Sequence, residues 1–280
     1  MKLCDLHTHS VYSDGTYTPA QLLAAAEEQN LSALVLSDHN TADGLSEFLT
    51  EAKNYAVEPI AGTEFSVDYN GTELHLLGLF LPPESFPLIN TKMQEYQNRK
   101  EQSNIDLVAA LNKAGYAIDY ETIRSATPNR QCNRAHIAAE LTKKGYTDSI
   151  KQAFSALLSP KAGFYKEPQF FTLWEMLDFI REIGGVPVLA HPFLNLKADA
   201  LSRLLPEAKK QGLAGMECLY PLYSEETTQL SFELARQFSL LPSGGSDFHG
   251  DNKPDIRIGV GKGNLAIPYD WAEALRNARI

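Results

Sequence analysis

The chain reads as an α/β protein of parallel βα units interrupted by an α-helical insertion. Three observations predict this. Short apolar runs, such as 34–36 and 186–190, alternate with capped helical stretches, the rhythm of strands joined by crossover helices. Imidazoles and carboxylates fall just after those runs, where functional side chains gather in such folds. From about residue 88 to 169 strands are hard to find and helical patterns dominate.

Residues 1–4 start the first strand, and Asp5-Leu6-His7-Thr8-His9-Ser10-Val11-Tyr12-Ser13-Asp14-Gly15 follows. Side chains alternate along a strand, so His7 and His9 point the same way, about 7 Å apart. Two such imidazoles can share one metal ion. Asp14 lies in a Ser-Asp-Gly turn, from which a short acidic side chain can swing back to them. Thr18 caps a helix over 19–29, with Pro19 at its first position and Gln21 closing a capping box. Residues 34–36 form a strand that delivers His39. A second helix runs roughly over 42–56, and a third strand, 59–63, delivers Glu64. Residues 73–80 form another strand, with His75 among apolar neighbours.

Within the insertion, helical patterns cover 93–114, 121–126, 134–144 and 149–158. Arg134 and His136 open the third of these, where the helix dipole favours anions. The βα rhythm resumes at Thr172, which forms a second capping box with Glu175. Strand 186–190 delivers His191. A helix over 199–211, a strand over 216–220 and a Ser224-capped helix over 225–238 follow. The last run, 240–245, leads to Asp247 and His249, spaced as His7 and His9 are.

Composition narrows the function. The chain has 280 residues, 44% hydrophobic, enough for one large core plus an inserted subdomain. A net charge of -10 with no basic run argues against long duplex nucleic acid as a partner. The same balance is compatible with a small anion at a cationic centre. Cys4, Cys132 and Cys218 are odd in number and widely spaced, which fits reduced cytosolic thiols better than disulfides or a zinc ribbon. With no charged leader and no long apolar run, the expectation is a cytoplasmic protein without a membrane partner.

Six of the seven histidines, His7, His9, His39, His75, His191 and His249, lie at strand ends or along strands. Asp14, Glu64 and Asp247 hold equivalent places. Nine imidazole and carboxylate ligands without thiolates suit more than one borderline divalent ion, such as Zn, Mn or Fe. Multimetal centres of this kind activate water and clamp a phosphoryl group.

In order, DLHTHSVYSDG, LSDH, GTE, the lone His75, AHP and GSDFHG resemble the motifs of the polymerase and histidinol phosphatase (PHP) family. The resemblance covers the chain outside the insertion. Asn40 and Ala135 depart from residues common in the family, and neither departure removes a ligand. The resemblance implies a distorted (β/α)7 barrel over 1–87 and 170–280, with 88–169 an α-helical cap that selects the substrate. It implies two to three divalent ions per chain (Mn, Zn or Fe). His7, His9, Glu64 and Asp247 would hold the first, and Glu64 would bridge to a second held by His75 and His191. Asp14, His39 and His249 would hold the third. Three divalent ions against three carboxylates leave a positive centre that draws phosphate.

The implied activity is a metal-dependent phosphoesterase in which a metal-bridged hydroxide attacks phosphorus in line. Glu64, Asp247 and His191 would serve the catalytic centre. Arg134 would grip a substrate phosphate, and His136 would donate to phosphate or protonate the leaving alkoxide. The insertion, with its NRAHIAAEL segment, resembles the subgroup acting on nucleotides and short oligonucleotides. A nucleoside 3',5'-bisphosphate or the 5' end of a short RNA is the implied substrate. The rival readings are a histidinol phosphate phosphatase, against which Asp14 counts because a His would stand there, and a non-catalytic metal-binding copy of the domain.

Overall fold

Continuous apolar runs place the first strands. In the computed structural model, which describes residues 2–126, 132–166, 168 and 171–279, β1 (Leu3–Asp5) pairs in parallel with β2 (Ala33–Leu36), and β2 with β3 (Glu58–Tyr69). All four residues of β2 are buried, as a parallel strand covered on both faces requires. Helices α1 (Pro19–Glu28) and α2 (Leu45–Glu51) make the crossovers. Thr18 and Gln21 form the expected capping box. The second helix starts at Leu45 rather than at 42. Asn90 Oδ1 takes the Ala42 N–H at 2.9 Å and Thr41 Oγ1 takes that of Asp43 at 3.1 Å, and such bonds compete with the first helical turn.

The parallel rhythm then breaks. The third strand runs past residue 63 to Tyr69 and turns through Asn70-Gly71 into β4 (Thr72–Leu79), antiparallel to it. Both turn residues have positive φ, 53° and 80°, the type I′ geometry of a two-residue hairpin.

The chain divides into two compact units, 1–93 with 171–280, and 94–170. Helix α3 (Phe86–Lys113) begins seven residues before the expected start at 93 and carries the chain from the first unit into the second. The second unit adds α4 (Tyr120–Ser125), α5 (Arg134–Lys143) and α6 (Ile150–Ala153). Its own core gathers Leu107, Leu111, Ile137, Leu141 and Leu158.

Back in the first unit, α7 (Leu173–Glu182) starts on the Thr172–Glu175 capping box. β5 (Val186–Ala190) pairs antiparallel with β4; α8 (Ala198–Lys210), β6 (Gly215–Leu219), α9 (Glu225–Gln237) and β7 (Leu241–Gly244) continue in parallel. The elements β8 (Ile267–Pro268) and α10 (Tyr269–Asn277), absent from the sequence reading, follow, with β8 antiparallel to β1.

The sheet order is β7-β6-β5-β4-β3-β2-β1-β8, and backbone bonds just beyond β1 and β7 bring its ends together. The Leu6 N–H donates to Gly244 O (3.3 Å), Asp247 N–H to His7 O (2.9 Å) and His9 N–H to Phe248 O (2.9 Å). A Cβ on Gly245 would fall on His7, so only glycine lets the two backbones close. Buried Asp5 pins this seam by accepting the N–H groups of Ser246 (2.8 Å) and Gly259 (2.7 Å). The result is a distorted (β/α)7 barrel with an added edge strand. Leu6, Val35, Ile60, Leu77 and Val188 belong to its core. Among the described residues no helix is long and apolar enough to cross a membrane.

Candidate metal centre

The nine residues singled out in the sequence all converge at the ends and along the walls of the barrel strands. His7 and His9 follow β1, and their Nε2 atoms approach to 3.0 Å. The loop after them is held by Asp38, which accepts from Ser10 N (2.7 Å), Ser10 Oγ (2.6 Å) and Ser13 Oγ (2.6 Å). That loop turns Asp14 back to within 3.2 Å of His249 Nε2 and 3.8 Å of His39 Nε2. His39 follows β2; Asn40 behind it sits at φ 52°, a conformation Asn tolerates well. The Asn40 side chain also exchanges two hydrogen bonds with Ser66, at 3.0 and 3.2 Å, so the Asn here has a structural reason of its own.

Glu64 is the hub. Its Oε1 lies 2.8 Å from His75 Nδ1 and 2.9 Å from His191 Nε2. Its Oε2 lies 3.1 Å from His7 Nε2, 3.2 Å from His9 Nε2 and 3.1 Å from His39 Nδ1. Asp247 Oδ1 faces the same spot, 3.2 Å from His9 Nε2. Its other oxygen is held by Tyr220 OH at 2.8 Å and Lys253 Nζ at 2.6 Å. His191 and Asp247 sit at φ 25° and 53°, and such non-glycine positions concentrate where a site is worth the strain.

Charge follows geometry. Burial opposes a charged His7, but Glu64, Glu217 and Asp247 raise its pKa well above the ordinary value. Burial likewise opposes a charged His75, yet Glu64 and Glu73 bring it up to about 10. His39 goes the other way, to about 4, chiefly by burial. Burial would raise Glu64, but His7, His75 and His39 hold it well below the carboxylate range.

The donor set fits divalent metal. Despite its three imidazole neighbours, buried Glu64 Oε2 has no partner at hydrogen-bonding geometry, and neither has His9 Nδ1. Unpaired buried polar atoms are costly, and both of these belong to residues in groups with metal-binding spacing. Ligand atoms 2.0–2.1 Å from a zinc-like ion lie roughly 3.3 Å from one another, close to the spacings around Glu64. Groups with metal-binding spacing are His7, His9, Glu64 and Asp247; His9, Asp14, His39 and His249; and His39, Glu64 and His75. The first is an expected set; His9 joins the second, His39 stands in the third where His191 was expected, and His191 falls instead in a further, unexpected group with His7 and Glu217.

Glu217 is the residue that the sequence reading missed. On β6 and fully buried, it lies 3.0 Å from His7 Nδ1 and accepts the His191 N–H at 2.7 Å. The available signal was a lone carboxylate inside the apolar strand Gly-Met-Glu-Cys-Leu, since a buried charge demands a partner. Residues in this position orient imidazole ligands and raise their basicity. Glu217→Gln is therefore expected to keep the fold and to weaken metal binding by about 10- to 100-fold, read by competition with a chromophoric chelator. Unchanged affinity would reduce Glu217 to a packing role.

Arg134 and His136 lie in the second unit, at the start of α5. The Arg134 guanidinium stacks 4.1 Å from the Tyr165 ring centre and donates to Leu158 O at 3.2 Å. His136 Nδ1 accepts the Asn133 N–H at 3.1 Å in a capping box. Both therefore have local structural partners.

The PHP domain family matches residues 5–178. The chain belongs to the PHP domain family. It is 32% identical to a 5'-3' exoribonuclease of Escherichia coli over 88% of this chain and 84% of that protein. It is 26% identical to a 3',5'-nucleoside bisphosphate phosphatase of Chromobacterium violaceum over 91% of this chain and 90% of that one. In fold it resembles a protein of Bifidobacterium adolescentis described as a metal-dependent phosphoesterase, with a TM-score of 0.72 at 23% identity, covering 100% of this chain and 97% of that one.

Proposed function

We propose that this phosphoric-ester hydrolase removes phosphate from a nucleotide, such as a nucleoside 3',5'-bisphosphate, or releases 5' nucleotides from short RNA. The observation that carries the reading is Glu64, both of whose oxygens lie among imidazoles, five in all. His7, His9, Glu64 and Asp247 would hold one ion, Glu64, His75 and His191 a second, and Asp14, His39 and His249 a third. Bound Mn, Zn or Fe would supply activated water and charge for the phosphoryl oxygens. Tyr220 and Lys253, by holding Asp247 Oδ2, leave Oδ1 turned inward. The relatives that act on RNA and on nucleoside bisphosphates support the substrate class. Arg134 and His136 complete the proposal as phosphate contacts, Arg134 with N–H groups beyond the one given to Leu158.

The test is turnover of nucleoside 3',5'-bisphosphates, 5'-phosphorylated short RNA, histidinol phosphate and an aryl phosphate, with Mn added. Turnover is expected on the nucleotide or RNA substrates. A metal-loaded protein inert on all of them would be a binding module instead, and preference for histidinol phosphate would move the substrate class. Arg134→Ala should cost the bisphosphate about 10- to 100-fold in kcat/KM, the worth of a charge-assisted hydrogen bond, and the aryl phosphate less, with metal content unchanged. No loss on either would leave Arg134 its stacking role alone.

A further inference from the structure

A cavity of about 280 Å³ opens directly beside Asp247. Ser246 and Asp247 form the wall it shares with the candidate centre, so anything seated in the cavity lies against that centre. The rest of the wall is largely apolar, with Pro221, Leu222, Pro254 and Ile256 on two loops. Leu222 is 55% exposed, so its side chain is not consumed by the core. The charges in the wall balance and do not select for an anion. Lys253 is committed to Asp247 at 2.6 Å. Lys262 and Asp255 add one charge of each sign. Sites for drug-sized ligands begin at roughly 300 Å³, so a volume of about 280 Å³ is on the scale of one small ligand such as a nucleoside.

We infer that the cavity bounded by Pro221, Leu222, Pro254 and Ile256 receives the nucleoside part of the substrate, its base against the apolar wall, while the phosphate meets the neighbouring centre. This rests on the nucleotide reading above and deepens it: the site would read a single nucleoside. The flat, uncharged base suits an apolar wall of balanced charge, and contact with it tolerates every base, because each presents a flat apolar face.

Leu222→Asp tests this at an exposed position, where folding should be unaffected. The first readout is equilibrium binding of adenosine and of uridine, which carry no phosphate, to the metal-loaded protein by calorimetry. Both are expected to bind in the millimolar range and to lose about tenfold or more with Leu222→Asp. The second readout is kinetic. With a nucleoside bisphosphate, KM should rise by a similar factor while kcat stays within about twofold. Turnover of glycerol 3-phosphate, which has no base, should not change. Nucleosides that fail to bind the wild-type protein, or that bind the variant equally well, would overturn the inference. Adenosine binding that is lost in the variant, in a protein that hydrolyses no ester, would instead sink the hydrolase reading and leave the nucleoside site standing.

Discussion

Glu64→Gln is expected to abolish turnover and to release metal in the same protein. The carboxylate meets five imidazole nitrogens through its two oxygens, so it is the one group common to two of the proposed ion sites. The amide keeps the shape but loses the charge, and its nitrogen turns a donor toward imidazole lone pairs. Losing a carboxylate that would be shared by two ions would remove Lewis-acid stabilisation on the order of 4 kcal/mol, about a thousandfold in rate. The fold should persist, because the barrel core around Leu6, Val35, Ile60 and Val188 does not depend on the carboxylate. Elemental analysis should find two to three ions per wild-type chain and at least one fewer in the variant. Near-normal turnover by the variant would make Glu64 an ordinary strand-end carboxylate. One ion or fewer in the wild-type protein, after loading, would sink the three-ion arrangement.

The candidate ligand residues were legible because they follow strands whose apolar runs are unmistakable. His39, His191 and Asp247 each come within three residues of a strand's end, and the barrel supplied the convergence that spacing alone could not. Asn70-Gly71 carries a hairpin signal that the sequence reading did not use, because the apolar run 59–63 drew the strand's end too early. Strand direction was harder: β4 and β5 carry the same apolar character whether parallel or antiparallel, and their antiparallel pairing rests on the hairpin. The short β8 has two residues and no pattern to read. Glu217, Tyr220 and Lys253 act through other residues, and only the closed barrel brings them from β6 and a late loop to His7 and Asp247. Arg134 was singled out for its place at a helix start, and sequence could not reveal that Tyr165 and Leu158 already hold it.

Stripping the metal with a chelator is expected to remove activity, keep the fold, and lower Tm by an amount that grows with pH. In the metal-free protein, His7 and His75 are raised by their carboxylate neighbours, His75 to about 10. Groups raised in the folded state stabilise fully below their unfolded value, 6.5, and lose that contribution as pH climbs toward the folded value. Glu64 and Asp247 are lowered by the imidazoles, after burial has been overcome. They stabilise above the ordinary carboxylate range and lose that contribution in acid. His39, held down to about 4 by burial, trims stability as pH falls below 6.5. The metal-free protein is therefore most stable near pH 6.5 and weakens toward pH 10. Metal binding runs the opposite way, because ions must displace the same protons and bind better as pH rises. An ion present at a thousand times its Kd adds about 4 kcal/mol, or roughly 10 °C in a domain of this size. The Tm gap between loaded and stripped protein should thus be wider at about pH 9 than at about pH 6, with circular dichroism unchanged by stripping at either. A gap that is constant or that narrows with pH would mean that imidazole protons and metal do not compete for these residues.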